Sequence, residues 1–260
     1  MINMTVMGGL GNQLFQWACA RNLQEEHGHY IKYDYNFYKG QSWRKLHLDE
    51  FKNLVFNTVE ENFTLGEVNV GDSFNYRNFC TYDYSQTQRQ YNLYGYWQSE
   101  KYFKENEHVI RNNLDIDEDT KYYISNKYPF IDNEQVASIH IRRTDYVSSN
   151  GYHPVQPISY YEEALNDIDY ERVVVFSDDI NWCKENLHFS NMTFSEDNTN
   201  IQDLYLMSMC KNNIIANSSF SWWAAWLNKN TDKKVVAPSK WFGPGAPSSQ
   251  DIIPEDWITI

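Results

Sequence analysis

The chain has 260 residues, 42% of them hydrophobic, which is apolar material for one large domain or two of ordinary size. Its formal net charge is −13, so no basic face offers to neutralise a phosphate backbone, and nucleic acid is excluded as the main partner. An anionic ligand has to be captured by a local cluster of cations, because the overall field repels it.

No apolar run approaches the length of about 18 residues that a membrane span needs, and the chain enters a strand at Ile2. This predicts a cytoplasmic protein with no secretion signal and no integral membrane segment. Cys19, Cys80, Cys183 and Cys210 show neither CxxC nor metal-ligand spacing and are expected to be reduced thiols. The sequons at Asn3, Asn62, Asn191 and Asn217 carry no meaning without a signal peptide.

In chain order, the β-branched and apolar run Ile2 to Met7 predicts a strand. Gly8-Gly9-Leu10-Gly11-Asn12-Gln13 reads as a tight turn, in which Gly9 and Gly11 let a ligand approach backbone amides. Leu14, Phe15, Ala18, Cys19 and Leu23 recur at helical spacing, and His29 to Tyr35 is a second strand. This βαβ start also resembles a dinucleotide fingerprint, with Asp34 about twenty residues on, but Leu14 occupies the third glycine position. A nicotinamide cofactor is therefore the lesser alternative. Residues 40 to 90 have no clean period and predict short strands and helices of an α/β layer. Leu93 to Gln98 reads as a strand, and Ser99 as the cap of a helix through Tyr102, Phe103 and Ile110. Asn112 to Thr120 reads as a solvated loop or helix edge. The DxD triplets beginning at Asp115, Asp117 and Asp167 follow no buried strand, so they read as exposed acids and no metal site is expected.

The second half alternates regularly. Strands are expected at Val136 to Ile141, Arg172 to Phe176, Asn213 to Ala216 and Lys234 to Ala237, with helices at Ser159 to Ile168, Ile201 to Cys210 and Phe220 to Leu227. Strands alternating with helices imply a parallel α/β sheet, whose carboxyl ends share one edge. Three polar clusters fall on those ends: His140 to Asp145, Ser177 to Asp179, and Asn217 to Ser219.

Arg142 and Arg143 have the fork geometry that grips a diphosphate; the plainer alternative is a pair tied to surface carboxylates. Ser218 and Ser219 open a helix, where free amides favour phosphate; the alternative is an ordinary cap. Asp203 is suited to accept from a base edge, or is simply a first-turn helix acid. Asp145 is a candidate general base or a support for the arginines. Asp178 joins the set through the strand end it occupies.

These pieces resemble the α-1,2-fucosyltransferases of glycosyltransferase family 11. The likeness lies in Gly8 to Ala18, with Trp17 where Tyr is usual, in Gly95-Tyr96-Trp97-Gln98-Ser99-Glu100-Lys101-Tyr102-Phe103, and in His140-Ile141-Arg142-Arg143-Thr144-Asp145-Tyr146. Phe176 to Asp179 and Asn217 to Trp223 complete it. The resemblance implies a GT-B type α/β fold, two Rossmann-like lobes with a cleft between them. The expected division is an acceptor-side lobe over residues 1–132 and a donor-binding lobe over 133–260, with the boundary near Pro129 to Glu134.

It further implies transfer of L-fucose from GDP-β-L-fucose, with inversion, to a glycan acceptor carrying terminal galactose. No metal or other cofactor is expected. By that likeness Arg142 holds the diphosphate with Arg143, His140 and Asp203 lie by the guanine, and Asn12 faces the reacting centre. Ser218 and Ser219 lie by the phosphates, with Gly9, Gly11, Asp178 and Phe220 completing the donor site. The rival readings are a transferase using another sugar nucleotide and a lectin-like sugar-binding module, the latter suggested by an aromatic content of 17%.

Overall fold

The structure is a computed structural model that describes residues 1–40, 44–54, 65–71, 76–149, 151–246 and 248–260. The Asn62 sequon and much of the unpatterned stretch between 40 and 90 lie outside the described residues. Contacts gather the chain into two units, Met1–Asp115 with Pro247–Pro254, and Ile116–Ala246 with Glu255–Ile260. Residues 116–132 thus fall in the second unit.

The first unit carries β1 (Ile2–Thr5), α1 (Leu10–His27), β2 (Ile31–Asp34), β3 (Glu67–Gly71), α2 (Tyr76–Phe79), β4 (Gln90–Tyr94) and α3 (Glu107–Asn113). Its sheet runs β2-β1-β4-β3 with every pairing parallel. The chain leaves β1 for β2 on one side while β4 lies on the other. The carboxyl ends of β1 and β4 therefore flank a topological switch point, where open α/β sheets bind ligands.

The expected turn from Gly8 to Gln13 is only two residues long. Gly8, at φ +82, reverses the chain in one step, and Gly9 is already the N-cap of α1. Gly11, Asn12 and Gln13 form the first turn of the helix, steadied by Gln13 Nε2 donating to the Gly8 carbonyl at 3.1 Å. Buried Gln16 ties the switch point together, because its Oε1 accepts from Met7 N (2.9 Å) and its Nε2 donates to Gly95 O (2.9 Å). That second bond takes the Gly95 carbonyl out of the ladder, so β4 ends at Tyr94 instead of Gln98. The helix expected after Ser99 is broken into two 3₁₀ turns, Glu100–Tyr102 and Lys104–Asn106, before α3 begins.

The second unit comprises α4 (Glu118–Lys127), β5 (Val136–Ile141), α5 (Thr144–Val147), α6 (Ile158–Asn166), β6 (Arg172–Ser177), α7 (Ile180–Asn186), β7 (Met192–Phe194), α8 (Asn200–Met209), β8 (Asn212–Ile214), α9 (Ser219–Leu227), β9 (Val235–Ala237) and β10 (Ile258–Thr259). Its sheet runs β10-β9-β8-β5-β6-β7, again all parallel, and the switch point lies between β5 and β8. Successive β5 side chains alternate between the two faces. Ala137, Ile139 and Ile141 pack against Tyr160, Tyr161, Ala164 and Leu165 of α6 in the core. Ser138 and His140 point the other way and make polar contacts there.

Most aromatic side chains are used as packing. Trp222, Trp223 and Trp226 of α9 form one cluster with ring separations of 5.2–6.2 Å, and Trp257 lies 5.5 Å from Trp222. Phe79, Trp97 and Tyr102 form another in the first unit.

A buried carboxamide network supports β8. Asn213 Nδ2 donates to Ser138 Oγ (2.7 Å) and Met207 O (2.8 Å), while its Oδ1 accepts from Asn228 Nδ2 (2.7 Å). Leaving a buried polar group without a partner costs about 1–3 kcal/mol. Asn213→Ala should destabilise the fold by roughly 2–4 kcal/mol, and Ser138→Ala by about 1 kcal/mol, in denaturant melts. Equal costs for the two would mean that Asn213 is not the centre of the network.

Candidate active site

The carboxyl edge of the second sheet gathers the polar clusters. Asp178, just past β6, is their anchor. Its Oδ1 accepts from the Arg143 backbone N–H at 2.9 Å, and its Oδ2 receives Arg142 Nη1 at 3.0 Å and the Thr144 hydroxyl. Arg142 is also held by Asp145, with Nη2 2.7 Å from Oδ1, and its guanidinium lies 5.5 Å from the Tyr146 ring centre. Arg143 turns aside. Its Nε pairs with Asp179 Oδ2 at 3.3 Å, and its guanidinium stacks 3.6 Å from the Trp182 ring centre.

Both arginines therefore contact carboxylates, and their forks are held at fixed angles instead of moving in solvent. An arginine has five N–H donors. Among the described residues, nothing accepts from Arg142 Nε or from the terminal nitrogens of Arg143. Donors thus remain for an incoming anion.

Across the switch point stands the start of α9. Ser218 occupies the N-cap position, yet its hydroxyl makes no capping bond, so no side chain covers the first amides of the helix. Such a terminus favours negative charge. One contact fastens it to β5 and one to α5: His140 Nδ1 lies 2.8 Å from Ser221 Oγ, and the Tyr146 hydroxyl donates to Asn217 O at 2.9 Å. Phe220 sets its ring edge-on to His140, 5.8 Å between centres. Asn217 is saturated: its Nδ2 donates to Pro154 O and Trp241 O, and its Oδ1 accepts from Gln156.

His140 is buried, and burial pushes its pKa down to about 4, with the Arg142 charge adding to the effect. The imidazole is neutral near pH 7. Ser221 Oγ donates to Ser218 O at 3.3 Å, so it accepts from His140 Nδ1. That tautomer leaves Nε2 as an acceptor.

Asp203 belongs to a second cluster on the same edge, beyond β7. Its Oδ1 accepts from Ser195 Oγ (2.7 Å) and Asn198 Nδ2 (2.9 Å), and among the described residues nothing donates to Oδ2. Burial raises its pKa, partly offset by the Ser195 and Asn198 hydrogen bonds. Lys127 secures the loop by donating to Glu196 O and Asn198 Oδ1, both at 2.7 Å.

In the first unit, Gly9 caps α1, and a Cβ there would meet Arg44 Nη1 at 3.3 Å. Gly11 is buried in the helix, and Asn12 Oδ1 accepts from Gln98 Nε2 at 2.7 Å. Of the DxD acids, Asp117 caps α4 by accepting from Thr120 N, and Asp167 and Asp169 are exposed. Among the described residues no group of three His, Cys, Asp or Glu gathers as a metal site, and no helix is long and apolar enough to cross a membrane.

Arg142, Asp145, Arg143 and Asp178 thus form one network. His140, Ser218 and Phe220 form a second, joined to Ser221. Sequence reasoning placed Gln98, Tyr146 and Ser221 in motifs without giving them a role, and did not pick out Trp182 or Asn198. Ser221 was recoverable, being three residues past the N-cap on a predicted helix; Trp182 and Asn198 become partners only through the sheet.

The family model for glycosyl transferase family 11 matches residues 50–260. An Escherichia coli alpha-1,2-colitosyltransferase is 34% identical, with 97% of this chain and 96% of that protein covered. The O-antigen biosynthesis glycosyltransferase WbnK of Escherichia coli is 30% identical, covering 97% and 98%. Among solved structures, the NodZ alpha-1,6-fucosyltransferase soaked with GDP-fucose superposes with a TM-score of 0.52 at 14% identity, over 87% of this chain and 91% of that one. The last likeness shows the fold, which is of the GT-B type.

Two buried histidines each contribute to the acid limb of stability. His29, also buried, is pushed to about 4 by burial. A histidine near 6.5 when unfolded and near 4 when folded leaves the unfolded chain with more bound protons between those values, so its contribution to stability falls as pH drops from 6.5 to 4. His140→Gln should remove up to about 1.4 kcal/mol per pH unit of that slope. Melting curves across this window check it; an unchanged slope would mean that His140 is not held neutral.

Proposed function

The chain is a member of glycosyltransferase family 11 and a glycosyltransferase, and from that premise we propose that it moves L-fucose from GDP-β-L-fucose to the 2-hydroxyl of a galactoside, with inversion. The acceptor oxygen attacks the anomeric carbon. The bond from that carbon to the β-phosphate oxygen breaks, its electron pair leaves with GDP, and the hydroxyl proton passes to solvent or a base.

The observation that carries the reading is Arg142, clamped between Asp145 and Asp178 on the same sheet edge as an uncapped helix N-terminus. Negative charge grows on the diphosphate as the bond breaks. Donors already in place bind that state better than the ground state, with no reorganisation. This supports a leaving group stabilised by Arg142, Arg143 and the α9 amides at Ser218, Ser219 and Phe220, without a divalent metal. Asp145 is engaged with Arg142, which supports an orienting role over that of general base. His140 Nε2 and Asp203 Oδ2 are both acceptors, and guanine offers N1–H and an amino group as donors. Adenine and uracil do not present that pair.

A second donor is favoured by the colitosyltransferase at 34% identity. Colitose is L-fucose without its 3-hydroxyl, so GDP-colitose places identical groups at the phosphates and the base. WbnK is named for O-antigen biosynthesis, which supports a surface-polysaccharide acceptor.

Initial rates with GDP-fucose and GDP-colitose over a galactoside panel, with and without EDTA, test the reading. GDP-fucose should be used, and chelation should cost nothing. Complete loss restored by manganese would overturn the metal-free mechanism. GDP should raise the melting temperature far more than UDP or ADP; at a hundredfold excess over Kd, binding adds about 2.7 kcal/mol.

Arg142→Lys should be nearly as damaging as Arg142→Ala, because an ammonium cannot fork onto two phosphate oxygens. Both should lower kcat by about 10²–10³, with the melting temperature little changed. A lysine variant that keeps most of the wild-type rate would remove Arg142 from the leaving-group site.

A further inference from the structure

The first unit holds a strained element at its switch point. Trp97 has φ +55, the left-handed region that a bulky side chain rarely enters. Its indole is buried, 5.7 Å from Phe79 and 5.5 Å from Tyr102 between ring centres, and this packing holds the backbone there. The kink brings the next side chain, Gln98, to α1, where its Nε2 donates to Asn12 Oδ1 at 2.7 Å. Gln98 Oε1 is buried and accepts no hydrogen bond among the described residues. The strained backbone of Trp97 thus places Gln98 for its contact with Asn12.

In that contact the Asn12 oxygen faces Gln98 and is occupied, and among the described residues Asn12 Nδ2 makes no hydrogen bond. Gly8 leaves room on the nitrogen side, since a Cβ there would lie 2.7 Å from Nδ2.

We infer that Gln98 is a positioning residue, which locks the Asn12 carboxamide so that its N–H donors, and not its oxygen, meet an oxygen of the bound sugar substrate. The inference rests on the glycosyl-transfer reading. It adds a polarity to the first unit: a fixed donor for a hydroxyl or ring oxygen.

Gln98→Glu tests it. An ionised carboxylate only accepts, so Asn12 must turn its N–H toward it and present its oxygen instead. A protonated carboxyl recovers a donor and restores the original orientation. At pH 8 the variant should lose about 100-fold in kcat/KM for the acceptor. The ratio to wild type should recover as pH falls through the titration of the introduced carboxyl. GDP affinity should stay within about twofold, because the residue lies outside the second unit. Asn12→Asp keeps the Gln98 donation but removes the outward N–H, and should show the same loss at pH 8 with an unchanged melting temperature.

A pH-independent ratio for Gln98→Glu, or an Asn12→Asp enzyme active at pH 8, overturns the inference while leaving the functional reading intact. A loss that tracks a lower melting temperature in both variants also overturns it, by making the contact merely structural. A wild type that neither binds GDP nor uses any GDP-sugar overturns both.

Discussion

The carboxylate of Asp178 is the interaction on which the geometry of the second sheet's carboxyl edge depends. It accepts at once from the Arg143 backbone, the Arg142 guanidinium and the Thr144 hydroxyl, so it sets both the path of the chain after β5 and the angle of the fork. With Asp145 on the opposite nitrogen, Arg142 has few orientations left. The two carboxylates also temper its charge. The entropy of ordering this long side chain is thus spent on folding.

Each unit solves the same problem at its switch point. Where the strand order reverses, backbone groups lose their ladder partners and need others. Carboxamides supply them. Gln16 bridges Met7 and Gly95 in the first unit, and Asn217 reaches Pro154 and Trp241 in the second. A carboxamide suits the task because it donates and accepts without carrying charge into a buried place.

The aromatic content follows a different economy. Nine tryptophans in an acidic chain suggest sugar stacking, but Trp17, Trp97, Trp222 and Trp223 are fully buried. Short parallel strands such as β8 and β9 bury little surface each, and large rings on α9 supply the apolar area that three-residue strands do not. Trp182 differs, since its ring is the platform for Arg143.

The sequence by itself determined the alternation of strand and helix, the carboxyl-end position of His140 to Asp145, Ser177 to Asp179 and Asn217 to Ser219, and the family. Those features depend on local period and on motif residues close together in the chain, and both survive without coordinates. Tertiary structure decided the rest. β4 stops at Tyr94 because Gln16, seventy-nine residues away, takes the Gly95 carbonyl. The Gly8 to Gln13 turn shrinks to two residues because α1 is anchored at its first turn. Arg142 and Arg143 read as one pair, yet they part company because Asp145 and Asp178 claim the first while Asp179 and Trp182 claim the second. Adjacent residues diverge when their partners come from different strands, and only the folded sheet establishes which strands are neighbours.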